Sequence, residues 1–239
     1  MAGLSKPSAR CPWWKRPLDR VLAALAHRAG FHIVRILAHE HSEEAATDTD
    51  RLRANLTCRV LDETSLQRLA QDPDMDTSRE WVEDALRRGD CCFAVLIDDR
   101  TIAYDWRALA SPTPMNDELL VHFDDTESCY GFKMFTHPHF RGHGLQQTNF
   151  AHSDNALSAQ GVRRTLGYIE FTNRGSLKVA QASGGYQVGW IAYWVSSFGF
   201  VRIRSWGARS VGFDIRRRSK DRAFAKRQNT LQTDEDTGS

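Results

Sequence analysis

No stretch of this 239-residue chain approaches the roughly 20 consecutive apolar residues that a membrane-spanning helix needs. The longest apolar run near the start is Val21–Ala26, too short for the core of a secretory signal. The five cysteines (Cys11, Cys58, Cys91, Cys92 and Cys129) form an odd set without a CxxC pair. That excludes a disulfide framework and a zinc ribbon, and reads as small hydrophobes in a reducing compartment. The net charge is only +2, so no global field draws the chain to nucleic acid. There is no internal repeat.

What is present fits one globular core: 41% of residues are hydrophobic and 26% charged. Charge is local, basic near the start and over Arg216–Arg227, acidic at the end. Residues 1–12 read as disordered. Leu18, Val21, Leu22, Leu25 and Ala26 recur at helical spacing, predicting an amphipathic helix over about 17–29, ended by Gly30. Phe31–Ala38 has strand character and 39–54 reads as a linker. Strands follow at Leu56–Leu61, Cys91–Ile97, Thr101–Leu109, Leu119–Phe123 and Tyr130–Thr136, with helical segments over 64–89. A helix over Leu145–Ala159, a strand ending at Asn173 and a helix through Leu177, Val179 and Ala180 come next. Gln187–Val195 and Phe198–Trp206 suggest a hairpin, with a last strand near Ser210–Ile215. The order is a mixed α+β pattern rather than an alternating parallel one.

The chemistry concentrates in Cys129–Gln146, CYGFKMFTHPHFRGHGLQ. A strand meets a Pro, then an Arg-Gly-x-Gly turn, then a helix. Backbone N–H groups at a helix N-terminus lack internal partners, and the helix dipole favours an anion there. Gly142 and Gly144 allow close backbone approach, and Arg141 offers a forked cationic donor suited to phosphate.

Arg141-Gly142-His143-Gly144-Leu145-Gln146 resembles motif A of the GCN5-related N-acetyltransferases, R/Q-x-x-G-x-G/A, which holds the pyrophosphate of coenzyme A. Gln146 replaces the family's final Gly or Ala, so its side chain must point away from the ligand. Asn173, Ser176, Gly184 and Tyr186 fit the family's motif B loosely, and Asn173 also reads as a helix N-cap. The resemblance covers about Leu56 to Trp206. It implies a central, mostly antiparallel, twisted sheet with splayed strands flanked by helices. It divides the chain into an N-terminal extension (1–50), a GNAT-like domain (51–215) and a disordered charged tail (216–239).

The resemblance further implies an acyl-CoA-dependent N-acyltransferase, most simply acetyl-CoA, in which an amine attacks the thioester directly. The pantetheine arm would lie beside Lys133–His137 like an added strand, putting Met134, Phe135 and Thr136 against it. Phosphates would sit at Arg141–Gln146, with Asn173 and Ser176 lining the site and Arg174 a further phosphate contact. Glu170 is the candidate general base, with Glu118 and His122 as rivals. The family's tyrosine general acid falls at Ala180 and is absent, and Tyr186 lies too far along to replace it. Two other readings stay open: a donor carried on a long-chain acyl carrier protein, and an inactive CoA-binding or interaction module.

His137, His139 and His143 form an H-x-H-x3-H set, but no carboxylate or Cys supports it, and no metal is expected. The aromatic run Trp190, Tyr193, Trp194, Phe198, Phe200 and Trp206 suits either an acceptor pocket or alternate burial in a hairpin. Trp13-Trp14-Lys15-Arg16 before the apolar stripe suits a membrane-surface anchor over 13–29, or a helix packed on the domain. The expected acceptor is a small-molecule amine or, if the segment touches lipid, a glycan precursor. The expected location is cytoplasmic, at most peripheral on the inner face of a membrane. The sequence leaves the oligomeric state open.

Overall fold

The computed structural model describes residues 28–41 and 56–218. In chain order these form β1 (Phe31–Glu40), β2 (Leu56–Val60), α1 (Glu63–Gln71), α2 (Arg79–Arg87), β3 (Cys91–Ile97), β4 (Arg100–Ala108), β5 (Thr113–Pro114) and β6 (Leu119–His122). Then come β7 (Ser128–Thr136), a 3-10 turn (Pro138–Phe140), α3 (Leu145–Ser158), β8 (Arg164–Glu170), α4 (Arg174–Ala182), β9 (Tyr186–Ser196), β10 (Gly199–Arg204), α5 (Trp206–Ser210) and β11 (Asp214–Arg217). Local chemistry sets the helix starts. The Asp62 carboxylate accepts from the Ser65 N–H at 2.8 Å, and the Ser78 hydroxyl accepts from the Trp81 N–H at 3.3 Å, giving α1 and α2 their N-caps.

Eight strands make one sheet in the order β10-β9-β1-β8-β7-β4-β3-β2, and β11-β6-β5 make a second. Every pair is antiparallel except β7 with β8. Alternation along the strands then builds a core on each side. On one face α3 packs Leu145 against Val95 and Ala103, and Leu157 against Phe93 and Cys129. On the other, α1 and α2 cover Cys92, Ala94, Leu96, Tyr104 and Trp106. The small sheet and α5 cover Val34, Ile36, Tyr130, Leu166 and Ile191 with Val121, Phe213 and Ile215.

The mixed, mostly antiparallel architecture is the one expected, but its margins are not. Phe31–Glu40 belongs to the main sheet, lying between β8 and β9 rather than in an extension outside the domain. Val34 pairs with both Glu170 and Ile191, so the ladder on each side holds β1 in place. At the other end, strand pairing continues past 215, because Arg216 and Arg217 pair with Leu120 and Leu119. Trp206 does not end a strand but starts α5, where the Ser205 hydroxyl caps the helix by accepting from the Ala208 N–H at 3.2 Å. Apart from its last residues, the helix expected over 17–29 lies outside the described residues, as do Trp13, Trp14 and the tail beyond residue 218.

Asp214 joins the two sheets. It is buried on β11, and its carboxylate accepts from Arg202 Nε at 2.6 Å and Arg202 Nη2 at 2.8 Å across from β10, and from Arg216 Nε at 2.9 Å. Burial alone would raise its pKa, but the Arg202 and Arg216 hydrogen bonds hold it below the usual carboxylate value of 3.8. A depressed carboxylate adds stability that is complete above the unfolded pKa and is lost as pH falls through the folded one. Asp214→Ala leaves the arginines unpaired and should cost about 3 kcal/mol. Its urea midpoint should therefore fall well below wild type at pH 7. The gap should narrow once the pH drops below 3.8 and into the depressed range.

Candidate active site in the cleft between two parting strands

The ladder between β7 and β8 has three pairs, Ser128 with Arg164, Cys129 with Thr165 and Tyr130 with Leu166, and then the strands diverge. The two outer edges stay fully paired. β4 follows β7 to Thr136, and β1 follows β8 to Glu170. From Gly131 onward the inner edge of β7 has no strand partner among the described residues. The β4 register slips where Arg107 opposes Gly131 and Trp106 opposes Lys133, so Phe132 is an extra residue at the point of parting. Gly131 leaves room there for the Arg107 guanidinium. A Cβ would sit 2.7 Å from Arg107 Nη1 and 3.2 Å from Thr165 Cγ2.

At the wide end of the cleft stands the glycine loop. Gly142 and Gly144 take φ of +81° and +74°, and nothing lies within 4 Å of the position a Gly142 Cβ would occupy. α3 begins at Leu145 with no side-chain cap, so its first N–H groups are open to an anion. Buried Leu145 anchors the helix start in the core. Gln146 points away from the loop: its Nε2 donates to Phe135 O at 2.8 Å, Thr136 Oγ1 at 3.0 Å and Tyr104 O at 3.3 Å. The larger residue at the departing motif position thus ties α3 to β7. Arg141 Nε donates to Thr136 O at 3.2 Å, and its side chain is exposed at the loop's edge. His143 Nδ1 lies 3.2 Å from Phe140 O and is exposed.

The cleft walls include Leu37, Met134, Phe150 and Ile169, with Ala180 and Ser183 of α4 above. Met134 faces this cleft, whereas Phe135 turns to the opposite face and stacks on Tyr104 with centroids 5.9 Å apart. Asn173 caps α4, its Oδ1 accepting from the Ser176 N–H at 3.0 Å. α4 buries none of its own residues.

Below the cleft is a charged network absent from any motif reading. Arg107 Nη2 lies 2.6 Å from Asp105 Oδ2 and donates to Ser153 Oγ at 3.3 Å. His39 Nε2 bonds Asp154 Oδ2 at 2.5 Å. Burial pushes the Asp105 carboxyl up to about 6, against the pull of Arg107 and with a further push from Asp154. His41 beside it makes two bonds, from Nδ1 to Val162 O at 3.0 Å and from Nε2 to Thr165 Oγ1 at 2.9 Å. A carbonyl can only accept, so Nδ1 carries a proton, and in the neutral ring Nε2 accepts from the Thr165 hydroxyl. Two buried nitrogens, His39 Nδ1 and Arg107 Nε, have no hydrogen-bond partner among the described residues.

The opposite face carries the candidate bases. Glu170 ends β8 on the side of Val34, with His32 Nδ1 3.4 Å from its Oε1. His32 stacks on Tyr193, with centroids 4.8 Å apart and planes 10° from parallel. Burial, with Glu170 nearby, pushes the Tyr168 phenol up to about 12 and raises Tyr193 further. The structure does not bring the three carboxylate and imidazole candidates together. His122 is on β6 opposite Asp214, its pKa lowered by burial and by Arg216. Glu118 is exposed in the turn before β6, with its N–H donating to Asn116 Oδ1 at 2.9 Å. Tyr186 donates its hydroxyl to Glu40 Oε1 at 2.7 Å. Among the described residues no three metal-ligating side chains converge.

The fold is similar to that of GCN5-related N-acetyltransferases. A GNAT-family acetyltransferase from Novosphingobium aromaticivorans aligns over 68% of this chain and 62% of its own, at 12% identity and TM-score 0.47. The GCN5-related N-acetyltransferase of Sphaerobacter thermophilus aligns over 78% of this chain and 56% of its own, at 11% identity and TM-score 0.47. AAC(6')-Iy in complex with the bisubstrate analogue CoA-S-monomethyl-acetylneamine aligns over 55% of this chain and 90% of its own, at 18% identity and TM-score 0.44. The chain therefore spans less than two thirds of the length of the first two proteins. No family model and no curated protein sequence matches it.

Two variants probe the network. Gly131→Ala must displace the buried Arg107 guanidinium and should cost about 1–3 kcal/mol in urea unfolding. His41 has a pKa below its ordinary 6.5, chiefly through burial. The unfolded chain then binds more protons than the folded one as pH falls below 6.5, so stability drops. His41→Gln should flatten the acid limb of Tm against pH in that window.

Proposed function

We propose that the protein is an N-acyltransferase that takes its acyl group from acyl-CoA, acetyl-CoA in the simplest case, and delivers it to an amine. The observation that carries this reading is the conjunction at β7. Its unpaired inner edge runs from the point of parting straight to an uncapped helix start behind a glycine turn. An extended amide-bearing arm can complete such an edge, and a pyrophosphate can sit at such a helix start. The open space at Gly142 and the outward turn of the Gln146 side chain leave room for it.

Coenzyme A would be held by the backbone of Gly142–Gln146, by Arg141, and by the β7 edge from Gly131 to Thr136. When bound it supplies an acyl group activated as a thioester. The chain's own residues then have three tasks. Arg141 and the α3 N-terminus neutralise phosphate charge. β7 N–H groups hold the arm and offer donors where carbonyl charge develops. Glu170, steadied by His32, accepts a proton from the incoming amine on the face opposite α3. Tyr168 and Tyr193, kept protonated by burial, can donate but not accept there. With the motif tyrosine replaced by Ala180, solvent or one of these phenols would return a proton to the leaving thiolate. A thiolate needs little such help, because its pKa is moderate.

Calorimetry should give micromolar binding of acetyl-CoA to the wild-type protein. Gly144→Trp should abolish it while unfolding remains cooperative. Glu170→Gln should leave binding unchanged and lower kcat by roughly 10²–10⁴-fold in an amine-acceptor assay. Binding without turnover across amines would instead identify an inactive CoA-binding module. No binding of any free CoA form would shift the donor to an acyl carrier protein.

A further inference from the structure

At the seam between the two sheets, arginines outnumber the charge that holds them. Arg202 and Arg204 lie two residues apart on β10 and so share one face of that edge strand. They stand across from Tyr193 and Ile191, which belong to the core under the small sheet, so both arginines extend toward that sheet. Arg216 lies two residues from Asp214 on β11 and shares its face. All three meet at the Asp214 carboxylate. Its Oδ1 accepts from Arg202 Nε at 2.6 Å and stands 3.4 Å from Arg204 Nε. Its Oδ2 accepts from Arg202 Nη2 at 2.8 Å and from Arg216 Nε at 2.9 Å. Arg204 Nη1 also donates to Phe213 O at 3.4 Å.

Asp214 is the only carboxylate paired with any of these arginines among the described residues. Guanidinium groups stay protonated, so three positive charges against one negative leave an excess of +2. Asp124, two residues beyond His122, spends its Oδ1 on the N–H and hydroxyl of Thr126. The excess acts on its neighbour. His122, paired with Asp214 from β6, has its pKa lowered by burial and then by Arg216, against the pull of Asp214 and with Arg202 adding to the push. The forks are also left open. Each guanidinium carries five N–H donors, and Asp214 engages these three mainly through their Nε edges. The side chains of Arg202, Arg204 and Arg216 remain 32%, 27% and 52% exposed. A side chain already held by a buried carboxylate loses less freedom when a ligand arrives.

From this geometry we propose that Arg202, Arg204 and Arg216, held together by Asp214, form a binding site for a phosphoryl group. A phosphate monoester brings close to two negative charges at neutral pH and three acceptor oxygens. That is the charge the cluster lacks, and planar forks engage such oxygens in pairs. A carboxylate brings one charge and would leave the cluster half neutralised. The site is separate from the glycine loop, because β10 is the edge strand and lies four strands from β7 in the sheet. It does not depend on the acyl-transfer reading.

Calorimetry of the full chain with inorganic phosphate, at an ionic strength held constant with chloride, tests the proposal. The glycine loop also suits phosphate, so wild type and Gly144→Trp are titrated side by side. Phosphate should bind both. Arg204→Gln with Arg216→Gln should weaken that binding by about tenfold or more in either background. Arg202 remains to pair Asp214, so this double variant leaves the buried carboxylate partnered. Arg216→Gln alone, at the most exposed of the three, should act in the same direction and stays informative if the double variant unfolds. Glycerol 3-phosphate and vesicles of phosphatidylcholine with or without phosphatidic acid separate the sources. Tighter binding of the soluble ester than of phosphate identifies a small phosphorylated molecule. Capture by phosphatidic acid that needs the arginines identifies a lipid headgroup. Binding lost in folded Gly144→Trp, or unchanged in the arginine variants, would place the phosphate elsewhere and overturn the proposal. So would a wild-type protein that binds none of the three probes.

Discussion

The backbone's demand for hydrogen-bond partners governs this molecule. A parallel pair that stops after three residue pairs leaves N–H and C=O groups facing each other across a gap. Such a gap lasts only if both strands are held from outside, and here they are. β4 secures β7 along its length and β1 secures β8 along its length. The chain has used up the outer hydrogen bonds and kept the inner ones in reserve. That reserve is what the proposed amide-bearing guest would use.

Closure at the narrow end comes from packing and charge together. Gly131 admits the Arg107 guanidinium, Phe132 bulges out of register, and Asp105, Asp154, His39 and His41 supply a buried polar floor. The paired groups of this floor resist rearrangement because a buried group that loses its partner is costly. The two faces of the sheet then divide the proposed labour. The α3 face, with its glycine loop, suits the donor's phosphates and arm, while the face bearing Glu170, His32 and the buried tyrosines suits amine chemistry.

Local signals in the sequence were faithful where the structure is local. The strand over Cys91–Ile97 has the bounds read from its residues, and the helix after the glycine turn starts at Leu145 as its pattern implies. Gln146 could be read only as an awkward residue to be pointed away; its three-way bond to Tyr104, Phe135 and Thr136 depends on strands folded beneath it. The strand character of Phe31–Ala38 was visible, but its place between β8 and β9 was not, because pairing partners so distant leave no local trace. The same holds for His32 beside Glu170 and for His39 with Asp154. His-x-His on a strand is no motif, and an aspartate inside a helix looks like solvent-facing charge. Ser205 three residues before Ala208 was a legible cap that the aromatic Trp206 obscured.

The placement of β1 also sets an order of events during synthesis. Among the described residues, β1 is made before all the other strands, and both of its neighbours, β8 and β9, follow more than a hundred residues later. Val34 and Ile36, fully buried in the finished protein, must therefore wait unpaired while the greater part of the chain is made. Contacts of such long sequence separation form slowly and leave strand edges open to wrong partners in the meantime. β1 is thus the strand most open to wrong pairing in the nascent protein. The sheet is completed when β1 is inserted between β8 and β9, not by growth strand by strand in chain order.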